Sequence, residues 1–118
     1  MSNQETVLQQ NIRLALGQHS NLRLFRNETG KLPNPRTGKW VRFGLAKGSS
    51  DLIGFKTVKI TSEMIGQEIA QFVSLEIKTE RGKLTDIQQN WLQKVKSSGG
   101  IVGVARTVKD ALNILKVS

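Results

Sequence analysis

The sequence predicts a single α/β domain in which helices pack on a mixed β-sheet. Its 118 residues are enough for one hydrophobic core, and neither an internal repeat nor a long linker divides residues 1–118. Three segments carry apolar residues at helical spacing, and four others have the composition of strands. Along the chain they follow in the order helix, strand, strand, strand, helix, strand, helix, which indicates the mixed sheet.

The N-terminal segment is predicted to form a helix followed by a short strand. The helix runs from about Gln4 to Leu16, and its apolar stripe consists of Leu8, Ile12, Ala15 and Leu16. Ser2 and Glu5 have the spacing of a capping box, and Gly17 is suited to end the helix. The strand covers about Leu22 to Asn27 and ends at a Thr-Gly pair.

Residues 31–50 form a basic segment without acidic side chains. Two prolines interrupt it and Gly48-Ser49-Ser50 closes it, so we interpret it as a basic loop or an irregular hairpin. Trp40 and Phe43 lie among its cations. Packing of these two rings within the protein and their stacking on nucleic-acid bases are both compatible with the sequence. The cations of the segment are Lys31, Arg36, Lys39, Arg42 and Lys47.

The rest of the chain is predicted to hold three strands and two helices. The strands over about Asp51–Thr61 and Glu68–Lys78 are expected to pair as an antiparallel hairpin, because the segment between them is short. Thr85 begins the second helix, whose apolar stripe consists of Ile87, Trp91 and Val95. Ile101–Ala105 is a continuous apolar strand, expected to be buried on both faces. Thr107 caps the last helix, whose stripe consists of Val108, Ala111, Leu112 and Leu115.

The charge and the residue types of the chain exclude several functional classes. The formal net charge of +9 indicates a polyanionic partner, nucleic acid before an anionic membrane. Without Cys and with His19 as the single His, disulfides, cysteine nucleophiles and multi-histidine metal sites are excluded. No apolar run is long enough for a membrane span and no signal peptide precedes the first helix, so we expect a cytoplasmic protein.

The predicted strand over residues 68–78 carries the most informative polar pattern. Because strand side chains alternate, Glu76 and Lys78 project from the same face, about 6–7 Å apart. Such a pair on its own is compatible with a solvated ion pair at a sheet edge. Asp51 begins the neighbouring predicted strand, so its carboxylate and that of Glu76 can converge. Two carboxylates beside a lysine suit Mg²⁺ or Mn²⁺, whereas an Asx turn or a cap explains Asp51 equally well.

Two polar residues fall where helical periodicity places apolar ones. Glu5 lies on the apolar stripe of the first helix, and Gln88 lies on the inward face of the second. An inward polar group is costly unless it is hydrogen-bonded or coordinated, which favours a functional role. Both residues also stand three positions after a capping residue, Ser2 or Thr85, so capping explains them as well.

The motifs of the chain stand in a characteristic order. They are Gly48-Ser49-Ser50-Asp51-Leu52-Ile53-Gly54, Leu75-Glu76-Ile77-Lys78 and Leu84-Thr85-Asp86-Ile87-Gln88. In this order and spacing they resemble the virus-type replication-repair nuclease (VRR-NUC) family of the PD-(D/E)XK nuclease superfamily. The similarity runs over nearly the whole chain, with three departures. Residues 31–47 are longer and more basic than expected of a minimal member. Ser50 replaces the motif proline, and Glu80-Arg81-Gly82 replaces the Gly-Pro that often follows the motif lysine.

The resemblance implies a restriction-endonuclease-like fold, an αβββαβ core plus a C-terminal helix, and a metal-dependent phosphodiesterase. In the family pattern, Asp51 and Glu76 would ligate Mg²⁺ or Mn²⁺. The main-chain carbonyl of Ile77 would be a further ligand, and Glu5 would complete the site directly or through water.

The resemblance also implies roles for the remaining polar residues. Lys78 would hold the attacking water or stabilise charge on the phosphoryl group, and Gln88 would orient the lysine or the water. The resemblance carries no role over to residues 31–47. Their positive charge alone makes the cations of this region the best candidates for contacts to DNA phosphates, which position the substrate rather than specify its sequence. Together with Arg26, the DNA-binding candidates are Lys31, Arg36, Lys39, Arg42 and Lys47.

The substrate implied by the resemblance is DNA, branched or in four-way junctions. The protein would act like a Holliday-junction resolvase, as a homodimer in DNA repair, with a phage origin and hence the host cytoplasm as its location. Two alternatives stay open, a monomeric nuclease of flaps or nicks and a non-catalytic basic module that binds nucleic acid. No membrane partner is expected, because no helix pairs a basic face with a bulky apolar one.

Overall fold

The structure is a computed structural model that describes residues 3–117. Its helices are α1 (Asn3–Leu16), α2 (Asp86–Ser97) and α3 (Val108–Leu115). Its strands are β1 (Leu22–Arg26), β2 (Gly30–Pro33), β3 (Trp40–Phe43), β4 (Leu52–Lys56), β5 (Val73–Ile77) and β6 (Ile101–Ala105). The α/β class is confirmed, and the described strands form three short two-stranded sheets, two of them antiparallel and one parallel. The chain divides into an N-terminal unit that ends at Lys56 and a C-terminal unit that begins at Thr57.

In the N-terminal unit, β1 and β4 pair antiparallel, with Leu24 opposite Gly54 at their centre. Glycine permits this close approach, because a Cβ atom at position 54 would collide with the carbonyl group of Arg23. Helix α1 packs against β1. The helix ends where the amide of Gly17 donates to the carbonyl of Arg13 at 2.8 Å, as the glycine predicts.

The face that α1 turns inward is narrower than the predicted stripe. Ile12 and Leu16 are half-buried as expected, but Leu8 is 58% exposed and Ala15 is also exposed. The other half-buried residues of the helix are Thr6 and Gln9. The axes of two paired strands lie only about 5 Å apart, so the β1–β4 sheet covers a narrow strip of the helix.

The basic segment forms an antiparallel hairpin of β2 and β3, which confirms the interpretation of a hairpin. Its register places Gly30 opposite Phe43 and Pro33 opposite Trp40. The ring of Phe43 packs over Gly30, where a Cβ atom would collide with it. After β3, Gly48 has a φ of 85° in the left-handed region, which agrees with the permissive loop predicted there.

In the C-terminal unit, β5 and β6 pair in parallel, with Leu75 opposite Gly103 at their centre. Helix α2 lies between them in the chain and forms the crossover that a parallel pair requires. Helices α2 and α3 both pack on β6, where Ile114 of α3 lies directly over Gly103. The fully buried apolar residues of the described chain are Leu92, Val95 and Ala105.

The predicted hairpin of the strands over 51–61 and 68–78 is wrong. The partner of β4 is β1 and the partner of β5 is β6, and both strands are shorter than predicted. The segment 57–72 between them contains a 3-10 turn at Ser62–Met64 and a left-handed glycine at Gly66. This connection is far longer than the roughly two to five residues of a hairpin loop, which leaves both strands free to choose other partners.

The predicted ends of α2 and α3 are confirmed, but their buried faces are rotated. Thr85 and Thr107 cap the helices through their side chains. Ile87 is 81% exposed and Val108 is 79% exposed, and each lies in the first turn of its helix. Strand β6 itself is mostly half-buried rather than buried on both faces. Within residues 3–117, no helix has the length and apolar character that crossing a membrane requires.

Candidate active site

Glu76 and Lys78 form a partly buried ion pair on the polar face of β5. Lys78 Nζ lies 3.7 Å from Glu76 Oε1, and the two side chains are 19% and 28% exposed, respectively. Strand alternation brings them to one face, as the sequence predicts. A solvated ion pair at a sheet edge would leave both side chains largely in water, where such a pair contributes little stability. The low exposure of Glu76 and Lys78 argues against that alternative.

Gln88 connects this pair to α2 and also caps the helix. Its side-chain Nε2 donates to Glu76 Oε1 at 2.9 Å, while its Oε1 accepts from the amide of Thr85 at 3.0 Å. The hydroxyl of Thr85 in turn accepts from the amide of Gln88, which completes the capping box. The capping explanation for Gln88 is therefore confirmed, and the same side-chain amide also contacts the carboxylate of Glu76. The role of Gln88 towards Lys78 or a water stays a prediction.

A second hydrogen bond joins α2 to β5. Trp91 Nε1 donates to Ser74 Oγ at 2.8 Å, one helical turn along from Gln88 and two strand residues along from Glu76. Two helix residues three positions apart, Gln88 and Trp91, therefore contact two strand residues two positions apart, Glu76 and Ser74. Helical periodicity assigned Trp91 only to the apolar stripe, and nothing in the sequence reveals that its indole N–H has a partner on β5.

Arg106 is a site residue that sequence reasoning missed. Its Nη1 donates to the carbonyls of Thr79 at 2.5 Å, Glu80 at 3.3 Å and Gly82 at 2.7 Å. These carbonyls belong to the loop that follows Lys78, where the chain departs from the family pattern. The contact depends on the parallel register, which places Ala105 opposite Ile77. Only a correct prediction of that pairing could have found it.

Asp51 lies in the N-terminal unit, at the end of a loop held by Asn27. The amide of Asn27 donates to the carbonyl of Asp51 at 2.9 Å, and its side-chain Nδ2 donates to Ser49 Oγ at 2.7 Å and to the Ser50 carbonyl at 2.9 Å. The carboxylate of Asp51 makes no hydrogen bond or ion pair with the residues that the structure describes. An Asx turn or a cap would require such a bond, so the side chain is available for a ligand.

A cleft of about 320 Å³ opens beside Asp51 in the same unit. Gln9 of α1 lines it, together with the segment 26–29 that follows β1 and with Phe43 of β3. Glu5 lies one helical turn before Gln9, on the same side of α1. Its predicted burial is wrong, since Glu5 is exposed, and Ser2 of the predicted capping box lies outside the described residues.

The six candidate DNA-binding cations are all exposed in the structure. Arg26 pairs with Glu28 at 3.2 Å, and both side chains are about half exposed or more, so water screens the pair. In the hairpin, Lys31 stands directly opposite Arg42. His19 is an exposed residue between α1 and β1, as expected.

The predicted metal ligands come from both units of the chain. Glu5 and Asp51 belong to the N-terminal unit, and Glu76 and Ile77 belong to the C-terminal unit. Within either unit, residues 3–117 hold no cluster of three acidic or histidine side chains. The C-terminal unit brings Glu76, Lys78 and Gln88 together, and their convergence with Asp51 and Glu5 stays a prediction.

Comparison with known families identifies the class. The model described as the VRR-NUC domain matches residues 3–109, which is most of the chain. The protein is thus a nuclease of the PD-(D/E)XK type with DNA as its substrate, a class that generally uses divalent metal ions. Within that class, the chain belongs to the VRR-NUC family. No curated protein and no solved structure matches it.

Proposed function

We propose that the protein is a Mg²⁺- or Mn²⁺-dependent endonuclease that recognises the structure of branched DNA and cleaves four-way junctions. The observation that carries the proposal is the partly buried Glu76–Lys78 pair, fixed to α2 by Gln88. A half-buried charged pair is costly to maintain, and its geometry suits a reaction in which a carboxylate and an ammonium act at one phosphate. The net charge of +9 agrees with a polyanionic substrate.

The donor atoms proposed for the metal are all oxygens. They are the carboxylates of Asp51 and Glu76 and the carbonyl of Ile77, with Glu5 acting directly or through water. Such a set suits Mg²⁺ and Mn²⁺, which prefer hard oxygen ligands. When bound, the ion supplies a water of lowered pKa and a positive charge at the phosphoryl oxygens.

The remaining residues act around the scissile phosphate. The Lys78 ammonium, held by Glu76, orients the attacking water or stabilises the negative charge that develops on the phosphoryl group. Gln88 keeps the carboxylate of Glu76 fixed and thereby keeps Lys78 in place. The exposed cations contact flanking phosphates and fix the register of the DNA. These cations are Arg26, Lys31, Arg36, Lys39, Arg42 and Lys47.

We propose that residues 1–118 act as one nuclease domain and that two copies form a homodimer on a junction. Two symmetric cuts require two active sites related by a two-fold axis, which a dimer supplies. A phage-encoded junction nuclease acting in DNA repair would work in the host cytoplasm. A monomer that cuts flaps or nicked DNA is the alternative within the same enzyme class.

The test is an incubation of four-way junction, flap and linear duplex DNA with and without Mn²⁺. We expect cleavage of the junction only with the metal, and no cleavage by Asp51→Ala or Lys78→Ala, although both variants still bind DNA. Lys83→Ala, which removes an exposed lysine from the same unit, is the matched control and should cleave normally. Intact junctions under every condition, from a folded preparation, would contradict the resolvase activity. Salt-sensitive binding without any cleavage would identify a binding module instead.

A further inference from the structure

The two faces of the β2–β3 hairpin differ in chemistry. Because directly opposed residues share a face, Lys31 and Arg42 lie on the same face as Pro33 and Trp40. The other face is apolar and includes Phe43, which packs over Gly30 and lines the Asp51 cleft. We use the name basic face for the side formed by Lys31, Pro33, Trp40 and Arg42.

The basic face places two like charges directly opposite each other. Such a cross-strand pair is destabilising by itself, and no acidic residue stands within the hairpin to offset it. Arg36 and Lys39 add two further exposed cations at the turn. A polyanion relieves this repulsion, so the charge of the face favours nucleic acid over an apolar protein partner.

Trp40 is the unusual residue of this face. It is 67% exposed, whereas the other tryptophan, Trp91, is 37% exposed and donates a hydrogen bond to Ser74. A large aromatic side chain is seldom left in water, and here it stands among cations. An indole ring flanked by phosphate-binding residues is the arrangement on which unpaired nucleotides stack.

The turn of the hairpin is held by several hydrogen bonds. Asn34 donates its amide to the carbonyl of Lys39 at 2.8 Å and accepts at its own carbonyl from the amide of Gly38 at 2.7 Å. Its side-chain Oδ1 accepts from the amide of Arg36 at 2.8 Å. Gly38 has a φ of 72°, which glycine adopts without strain. The backbone of the turn that carries the basic face is therefore preorganised.

We propose that Trp40 stacks on a base left unpaired at a branch point of the DNA while Lys31 and Arg42 contact its phosphates, so that the enzyme selects branched DNA over continuous duplex. This inference rests on the proposed function for its choice of DNA. Trp40 is three residues from Phe43 at the Asp51 cleft, or about 10 Å along the strand. That distance equals about three stacked base steps, so the unpaired base would lie close to the scissile phosphate.

The experiment measures binding by fluorescence anisotropy with EDTA present, so that no cleavage occurs. The probes are a labelled fork with one single-stranded arm and a blunt duplex of matched length. We expect Trp40→Ala to weaken fork binding about tenfold and duplex binding less than twofold, because stacking on an unpaired base is lost. Trp40→Phe should restore most of the affinity for the fork. Val41→Ala, on the opposite face of the same strand, is the matched control and should bind like the wild type.

A second measurement follows tryptophan emission during titration with oligothymidylate. We expect the emission of the wild type to be quenched and that of Trp40→Phe, which retains only Trp91, to stay unchanged. An equal loss for fork and duplex, no loss in Trp40→Ala, or absence of quenching would overturn the proposal. A blue shift with anionic phosphatidylglycerol vesicles, without quenching by DNA, would assign the face to lipid and overturn it as well.

The binding experiment separates this inference from the proposed nuclease. If Mn²⁺ produces no cleavage but Trp40→Ala still loses fork binding selectively, the nuclease proposal fails and the stacking site stands. If junctions are cleaved normally while Trp40→Ala binds the fork as well as the wild type, the stacking site fails and the nuclease stands.

Discussion

At the scale of single residues, Gln88 connects the start of α2 to the carboxylate of Glu76. A capping glutamine at the start of a helix is ordinary, and its carbonyl oxygen is the atom that the cap requires. The amide nitrogen is left for another partner, and here it reaches Glu76. The carboxylate proposed to bind the metal is therefore tied to the first turn of α2. One side chain both caps the helix and holds Glu76.

This double role predicts different effects for two capping variants. Thr85→Ala should lower the free energy of unfolding by about 1 kcal/mol, the usual loss for a cap, and leave cleavage nearly unchanged. Gln88→Ala should lower the cleavage rate about 10- to 100-fold, because a carboxylate beside the reaction loses its fixing contact. Urea unfolding and junction cleavage with Mn²⁺ measure the two quantities. Equal losses of activity in both variants would show that Gln88 matters only as a cap.

At the scale of elements, the C-terminal unit is organised around the parallel pair of β5 and β6. The pair fixes Lys78 through a main-chain bond from its amide to the carbonyl of Ala105 at 3.1 Å. The next residue, Arg106, holds the loop that follows Lys78. Asp110 completes the arrangement by accepting from the amide of Arg106 at 2.9 Å. The loop after Lys78 is thus attached to the end of β6 and to the first turn of α3.

Arg106→Ala should loosen this loop. We expect a loss of about 1–2 kcal/mol in the free energy of unfolding, since several carbonyls lose a charged donor. Amide hydrogen exchange over residues 79–82 should become faster, and cleavage should slow. Arg81→Ala, an exposed arginine in the same loop, is the matched control. If exchange over the loop is unchanged in Arg106→Ala, the contacts do not hold it in solution.

Local signals of the sequence predicted the elements well, whereas their partners depended on contacts distant in the chain. The caps at Thr85 and Thr107 are encoded within four residues, and both are correct. The pairing of β5 with β6 is not encoded locally, because the two strands are distant in the chain and helix α2 separates them. The predicted hairpin failed for this reason, and Arg106 was missed with it.

In the candidate site, too, some contacts follow from local sequence and others depend on residues distant in the chain. Glu76 and Lys78 share a face by strand alternation alone, so the sequence predicts their pairing. The Asn27 contacts to Ser49 and Ser50 depend on β1 lying beside β4, which periodicity does not specify. The exposure of Glu5 depends on how little of α1 a two-stranded sheet can cover.

At the scale of the whole molecule, the charge of +9 governs the encounter with DNA. Neutralising phosphates releases counterions, so affinity should fall steeply as salt is raised. The double variant Lys31→Ala/Arg42→Ala should reduce the slope of log affinity against log salt by about two, one for each lost phosphate contact. Lys94→Ala/Lys96→Ala on α2 removes the same charge and is the control. Equal slopes for the two double variants would show that only net charge matters.

The central proposal is that Asp51 and Glu76 ligate the same divalent ion. Calorimetric titration with Mn²⁺ tests it most directly, using the wild type, Asp51→Ala, Glu76→Ala and the double variant. The account predicts that each single substitution removes the site and that the double variant loses nothing more, because both carboxylates serve the same ion. Undiminished Mn²⁺ binding in either single variant would contradict it.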